Sequence, residues 1–343
     1  MYFYKMSPFL AFIKLIRLPN LLIIVLTQYV VRYAIIYPFL AINSIALRMS
    51  EIHFFLLSLS TVMIAAAGYI INDYFDTKVD RVNRPDKILV GKYIKRRFCM
   101  GSHLVISGLA ILIAGFVAYK IGNIKLVVIQ FISVGALWYY SVSFKKQVII
   151  GNVVVALLAA LVPFVAGLYE LMLQHQFADD TCNSLIFYLE EGTSFEDVQF
   201  ILSDILQNVL VWVVGLSVFA FLSTMLREII KDIEDYEGDK KYESNTLAVV
   251  HGKEKAKRVS QGLVVIMMLF LGYLQYQQLK SNDTTSFIYF MFALQAPLGY
   301  LFYQLQQAKE KADYSKLSRN TKLFMLSGIL YTLVFGYTLL ASL

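Results

Sequence analysis

The sequence predicts an all-α, polytopic membrane protein: nine transmembrane helices in a pseudo-symmetric bundle around a cytoplasm-facing cavity. Three observations carry that prediction. Of 343 residues, 58% are hydrophobic and only 16% are charged, whereas a soluble domain is about a quarter charged. The apolar residues are gathered into nine long blocks, and a bilayer span needs about 20 of them in a row. Finally, two acidic clusters of identical spacing follow the second and sixth blocks.

The blocks run roughly over 21–43, 52–71, 102–118, 124–141, 148–168, 206–226, 260–279, 285–304 and 323–343. The first lies behind "KLIRLPN" and is too long and too poorly punctuated for a cleaved signal peptide, so it reads as a retained helix. With nine spans, alternate loops face opposite sides. One side collects 26 of the 31 Lys and Arg, the other holds Arg48, Lys120, Lys125 and Lys280, and Arg32 lies inside the first block. The positive-inside rule therefore places the N-terminus in the cytoplasm and the C-terminus outside, in a bacterial or archaeal cell membrane. A net charge of +7 is accounted for by topology, which removes the reason to expect a nucleic-acid partner. No obligate protein partner is evident. Cys99 and Cys182 fall on opposite sides of the membrane and do not form a disulfide framework.

No Pro- or Ser-rich linker divides the chain, so residues 1–343 read as one domain. Its largest irregularity is an extracytoplasmic loop insertion at 169–205, able to form an amphipathic surface helix, with eight acids, no Lys or Arg and no catalytic pattern. Arg32 is a costly charge within a span. It either closes a buried ion pair or lines a substrate path.

The unusual chemistry is cytoplasmic. The loop after the second block carries Asp73-x2-Asp76-x3-Asp80, and the loop after the sixth carries Asp232-x2-Asp235-x3-Asp239, each acid 159 residues after its counterpart. Spacings of i, i+3 and i+7 fall on one helical face. If both helices run past the membrane surface, each presents a stripe of three mutually repelling carboxylates. Divalent cations relieve that repulsion, and Mg²⁺ is held by a few carboxylates, waters and substrate phosphate oxygens. Two facing stripes fit Mg²⁺ ions with a diphosphate bridged between them. Bases at the same depth fit the anion: Arg17, Arg81, Arg84, Lys87, Lys145, Lys146 and Lys231. Asn72 offers a further oxygen ligand. Tyr69, Tyr139 and Tyr140 lie at the depth where an aromatic face would meet a cation.

At these residues the chain resembles the UbiA-type intramembrane prenyltransferase superfamily. The family's first motif, N-D-x-x-D-x-x-x-D, is complete from Asn72 to Asp80. The second, Y-x3-K-x3-D-x3-D, is matched at Lys231, Asp235 and Asp239, with Arg227 in place of its leading Tyr. "RLPN" at 17–20, "YSVSFKK" at 140–146, "GN" at 151–152 and "NTLAVVHG" at 245–252 agree as well. "NRPDK" at 83–87 begins as the family does but continues "KILVGK". The resemblance implies Mg²⁺-dependent transfer of a polyprenyl group from a prenyl diphosphate to a lipophilic acceptor in the membrane.

By the same resemblance Asp76, Asp235, Asp239 and Lys231 are catalytic. Asn72, Asp73, Asp80 and Asp232 join Asp76, Asp235 and Asp239 as the metal set. Arg17, Asn20, Arg84, Lys145, Tyr69 and Tyr140 contact substrate. The run "REIIKDIEDYEGD" is similar to the ether-lipid branch, which prenylates a glycerol-phosphate hydroxyl; an aromatic acceptor of quinone or haem biosynthesis is the alternative. A divalent-cation transporter would instead carry its ionisable residues near the bilayer midplane. A CDP-alcohol phosphotransferase would need one continuous run of the form D-G-x-x-A-R, which this chain lacks.

Overall fold

The computed structural model describes residues 6–186 and 194–341. Ser7 opens α1 (Pro8–Leu15) by accepting the Leu10 N–H at 3.2 Å, and Pro8 occupies a first-turn position where no amide donor is needed. This helix buries Ala11 and Leu15 and exposes Phe9 and Leu10. Arg17, in the left-handed region with φ of +54°, then bends the chain into α2 (Leu18–Val31). A π-helical turn at Arg32–Ile36 joins α2 to α3 (Tyr37–Ala41), and together they make the first span.

The second span, α4 (Glu51–Asn83), is capped by the Ser50 hydroxyl and runs for 33 residues. At 1.5 Å per residue that is about 50 Å, against a hydrocarbon core of about 30 Å. The surplus is the stretch holding Asp73, Asp76 and Asp80, which stays helical as the spacing predicts. There follow α5 (Arg96–Lys120), α6 (Val127–Val142), α7 (Ile150–Gln176) and the short α8 (Ala178–Leu185). The sixth span is α9 (Phe195–Glu234), 40 residues long. After it come α10 (Tyr236–Lys241), α11 (Leu247–His251), α12 (Lys253–Lys280), α13 (Thr284–Tyr289), α14 (Ala296–Gln307) and α15 (Lys311–Leu340). A second π-helical turn, Phe290–Gln295, makes α13 and α14 one span. Among the described residues nine helices are long and apolar enough to cross a membrane, the number the hydrophobic blocks predict. The protein is an integral membrane protein. Cys99 and Cys182 are buried and unpaired.

Two expectations need correction. The insertion at 169–205 is shorter than its expected bounds, since α7 continues to Gln176 and α9 begins at Phe195, and α8 supplies a helix between them. Its acids drive this, because Asp179, Asp180, Glu196 and Asp197 occupy the first turns of α8 and α9, where the helix dipole favours negative charge. Ser194 and Asp197 also close a reciprocal capping box. The part of that segment at 187–193 lies outside the described residues.

The second correction concerns the later acidic set, which does not share one unbroken helical face. The helix breaks at Asp235, with φ of −92° and ψ of 7°, so Asp232 belongs to α9 and Asp239 to α10. The cause is a side chain inserted into the hydrogen-bond ladder. Asn83, the last residue of α4, donates to the Asp235 carbonyl at 3.1 Å and accepts the Gly238 N–H at 3.0 Å.

Buried apolar residues of α9, α12, α14 and α15, among them Leu226, Ile229, Val264, Leu298 and Phe324, form one core. A second joins α2, α4, α7 and α9 toward the opposite ends of the helices, and a small third packs α1 against α4. Between them the bundle is hollow.

Candidate functional site

The hollow is a cavity of about 710 Å³. One face of α4 lines it without interruption, through Thr61, Ile64, Ala65, Gly68, Tyr69, Asn72, Asp76 and Asp80. One face of α9 does the same through Leu216, Phe219, Ala220, Ser223, Thr224, Arg227, Glu228, Lys231, Asp232 and Asp235. Steps of three and four residues keep each row on one helical face. Both rows change from apolar to charged in the same direction, so the cavity has an apolar chamber and a charged mouth. The two motifs, 159 residues apart, meet at that mouth.

At the mouth the acids are engaged with bases and amides. Arg17 reaches Asp73 at 2.8 Å and lies over the Tyr69 ring, 4.8 Å from its centre. Lys145 is ion-paired with Asp76. Arg84 bridges Asp235 at 2.9 Å and Glu234 at 3.6 Å. Lys231 binds Glu228 at 2.9 Å. Asn20 lies between Tyr69, to whose hydroxyl it donates at 3.4 Å, and Lys322, whose ammonium donates to it at 2.6 Å.

Most residues expected at the site line the cavity: Arg17, Asn20, Tyr69, Asn72, Asp76, Asp80, Arg84, Tyr140, Lys145, Lys231, Asp232, Asp235 and Asp239. Asp73 does not; its carboxylate holds Arg17 instead. Tyr139 is 61% exposed and stacks on Phe144, outside the cavity. Arg81 is also exposed and off the wall, while the Lys87 side chain lies outside the described portion. Arg32 is not on the wall, although its neighbour Val31 is, and sits in a buried ion pair with Glu170.

Several wall residues have no expectation behind them. Asn83 ties the end of α4 to the α9–α10 break. Asn152 donates to the Asp232 carboxylate at 2.8 Å, and its neighbour Gly151 explains the "GN" pair. A Cβ at Gly151 would stand 2.7 Å from the Lys145 Cα, so only Gly lets the Lys145 turn pack this closely. Glu228 is a buried acid, and Lys322 brings α15 to the site. The "GN" and "NRPDK" marks were the only signals in the sequence for Asn152 and Asn83. Nothing in the sequence singles out Lys322.

The mouth carries both signs. Six carboxylates line it (Asp76, Asp80, Glu228, Asp232, Asp235, Asp239) with eight cations (Arg17, Lys78, Arg84, Lys145, Lys146, Arg227, Lys231, Lys322). Burial raises the Asp235 carboxyl above its usual range. Burial, then the Asp235 and Asp76 carboxylates, push Asp239 up to about 7. A cation at the mouth would reverse both effects. The Oδ1 atoms of Asn72 and Asp235 are buried with no hydrogen-bond partner among the described residues, as oxygens reserved for a ligand would be. Among the described residues no three Asp, Glu, His or Cys side chains converge on one point. The donors therefore suit a hard divalent cation that keeps waters and phosphate oxygens in its shell, and do not suit a closed all-protein cage.

The model of the UbiA prenyltransferase family matches residues 34–328. Among curated relatives, the digeranylgeranylglyceryl phosphate synthase of Sulfurisphaera tokodaii is 31% identical over 210 residues, which is 60% of this chain and 60% of that protein. The enzyme of the same name from Methanosphaera stadtmanae is 28% identical over 271 residues, 78% of this chain and 82% of that one. The match thus spans less than two thirds of the first relative and most of the second. Among solved structures, one described as giving insight into digeranylgeranylglyceryl phosphate synthase in membranes superposes with a TM-score of 0.63 at 22% identity, covering 97% of this chain and 100% of that one. A UbiA homologue from Archaeoglobus fulgidus bound to DMAPP and Mg²⁺ gives 0.54 at 18% identity, covering 97% and 99%. At those identities the likeness is one of fold.

Proposed function

Because the chain belongs to the UbiA prenyltransferase family, we propose that it transfers a polyprenyl group from a prenyl diphosphate to the hydroxyl of a glycerol-phosphate lipid, with Mg²⁺ as cofactor. One observation carries the reading: a single cavity joins a mouth lined by both aspartate motifs to an apolar chamber, matching a substrate with an ionic head and a hydrocarbon tail. The acceptor class rests on the relatives named digeranylgeranylglyceryl phosphate synthase. We further propose a single domain over residues 1–343, with the N-terminus and the cavity mouth in the cytoplasm and both the C-terminus and the 169–205 segment outside.

Asn72, Asp76, Asp80, Asp232, Asp235 and Asp239 would hold the Mg²⁺, with Asp73 acting through Arg17. Bound there, Mg²⁺ neutralises charge developing on a diphosphate as its bond to carbon breaks. Arg17, Arg84, Lys145 and Lys231 bind the diphosphate oxygens. Each is already held within a few ångströms of the mouth by an acid partner, so little reorganisation is needed. The apolar walls exclude water from the allylic cation, and Tyr69 and Tyr140 line the cavity that holds it. Both aspartate sets lie toward the ends of α4 and α9 and not midway along them, which argues against a pathway for divalent cations.

The test supplies the detergent-purified protein with labelled geranylgeranyl diphosphate and either geranylgeranylglyceryl phosphate or hydroxybenzoate. The expected product is a labelled diether lipid, lost on chelation with EDTA and restored by Mg²⁺. Label recovered in the aromatic acceptor alone would overturn the acceptor class, and metal flux into vesicles without prenyl diphosphate would overturn the enzyme reading.

Gly238 supplies a second test. A Cβ there would stand 2.4 Å from the Asn83 carboxamide atoms, so Gly238→Ala should separate α10 from the end of α4 and displace Asp235 and Asp239. A shift of about 1 Å in a catalytic constellation can cost about 100-fold in rate. Steady-state kinetics should show a loss of that order in kcat, with an almost unchanged melting temperature. Unchanged kcat would show that the Asn83–Gly238 link does not position the motif.

A further inference from the structure

The mouth is not uniform in charge. Asp73 holds Arg17 from outside the cavity, while Asp76, Asp235 and Asp232 are engaged by Lys145, Arg84 and Asn152. Where α9 faces α2 and α15 the wall is net basic, with Arg227, Lys231 and Lys322 outnumbering Glu228 and Asp232. There Arg227 and Lys231 share one acid, Glu228, at 3.0 and 2.9 Å. Lys322 has no carboxylate within ion-pair distance among the described residues; its ammonium rests on the Asn20 carboxamide oxygen. Lys322 and Arg227 both line the cavity. Among the described residues Arg227, Lys231 and Lys322 have between them one ion-pair partner, Glu228, and an anionic ligand would offset the excess charge.

Two further atoms point the same way. Thr224 lies one helical turn before Arg227 on the same face of α9; it is only 5% exposed, and its hydroxyl has no hydrogen-bond partner among the described residues. The Arg227 Nε is likewise buried and unpartnered. A hydroxyl, a guanidinium edge and an ammonium around one space are donors for phosphate oxygens. Arg227 is also the position where the chain departs from the family's leading Tyr.

We propose that Thr224, Arg227 and Lys322, set in place by Asn20, form an anion subsite that holds the phosphate of the acceptor, apart from the acids that hold the magnesium and diphosphate. The inference rests on the glycerol-phosphate acceptor proposed above and names the part of the site that selects it. A phosphate bound on the basic wall presents its lipid's hydroxyl across the cavity toward the mouth where the prenyl carbon is released. A neutral acceptor gains nothing from these residues.

The phosphate that this chemistry recognises has two sources, the acceptor and the prenyl diphosphate, and separate titrations distinguish them. Arg227→Gln, Lys322→Gln and Thr224→Val are assayed with varied geranylgeranylglyceryl phosphate, with varied geranylgeranyl diphosphate, and with the dephosphorylated acceptor geranylgeranylglycerol. Loss of one charge-assisted contact should raise the KM for the phosphorylated acceptor about 10- to 100-fold for Arg227→Gln and Lys322→Gln, and less for Thr224→Val. The KM for the diphosphate and the rate with the dephosphorylated acceptor should stay near those of the parent protein. A raised KM for the diphosphate with an unchanged acceptor KM would overturn the subsite and assign these residues to the donor. No product from the parent protein with either glycerol-based acceptor would overturn the reading of function itself. Arg227→Lys keeps the charge and should restore part of the acceptor affinity, an effect that a purely structural role for Arg227 would not give.

Discussion

Replacing Asp76 or Asp235 with Ala is expected to abolish prenyl transfer, lowering kcat by at least about 10³-fold, because each removes a group that stabilises charge at the departing diphosphate. The two residues come from different motifs and different walls. Asp76 faces Lys145. Asp235 sits at the break between α9 and α10, with one oxygen on Arg84 and the other unpartnered among the described residues. Loss of either leaves half of a cation site, and the remaining acids cannot close the gap because they stand on opposite helices. Neither side chain belongs to an apolar core, so the variants should purify as folded protein in detergent, with near-native melting. The measurement is single-turnover product formation over a Mg²⁺ titration. Full activity at limiting Mg²⁺ in either variant would end the two-motif reading.

The residues of that prediction were legible because their signal is local. D-x2-D-x3-D is a period-3.6 pattern within one segment, and its recurrence 159 residues later needs no knowledge of the fold. What closes the site is long-range, and beyond the "GN" and "NRPDK" marks the sequence carries no sign of it. Asn83 meets Asp235 and Gly238 across about 150 residues, Asn152 meets Asp232 across 80, and Lys322 reaches Asn20 across 302. Each is an ordinary polar residue at a helix end or face until the bundle brings its partner. The break at Asp235 was hidden for the same reason, since Gly238 in "KDIEDYEGD" only weakens a helix; the Asn83 carboxamide of another span interrupts it.

The spans were legible for a different reason. Hydrophobic blocks are set by bilayer thickness, so their number survives any error in packing. Their ends do not, because a helix stops where its caps and tertiary contacts stop it and not where it leaves the hydrocarbon. Hence α4 continues to Asn83 and α9 begins at Phe195, far beyond the apolar runs. Lys322 and Arg227 count as topology charges in the sequence, yet both lie on helices facing the cavity.

Glu170→Ala is expected to cause the largest loss of stability of any single change at the opposite end of the bundle. Arg32 and Glu170 are each about 1% exposed. The Arg32 guanidinium donates to Glu170 at 3.4 Å, to the Met49 carbonyl and to Glu51 at 2.8 Å. Glu170 in turn accepts the N–H groups of Arg48 at 2.6 Å and Met49 at 3.1 Å, and the Gln174 amide at 2.9 Å. One carboxylate on α7 thus fastens the turn between α3 and α4 and neutralises the charge inside the first span. Without it the guanidinium keeps only Glu51 and the Met49 carbonyl, two backbone donors lose their partner, and breaking a buried pair costs up to about 3–5 kcal/mol. The melting temperature in detergent should fall sharply, while the KM for both substrates in the surviving protein should hold, because neither residue lines the cavity. Arg32→Met combined with Glu170→Leu should recover part of the loss, since an apolar pair removes the stranded charge although the two N–H groups stay unpaired. A raised substrate KM with unchanged melting would instead place Arg32 on the substrate path, the alternative that its position in the first span leaves open until its partner, 138 residues away, is found.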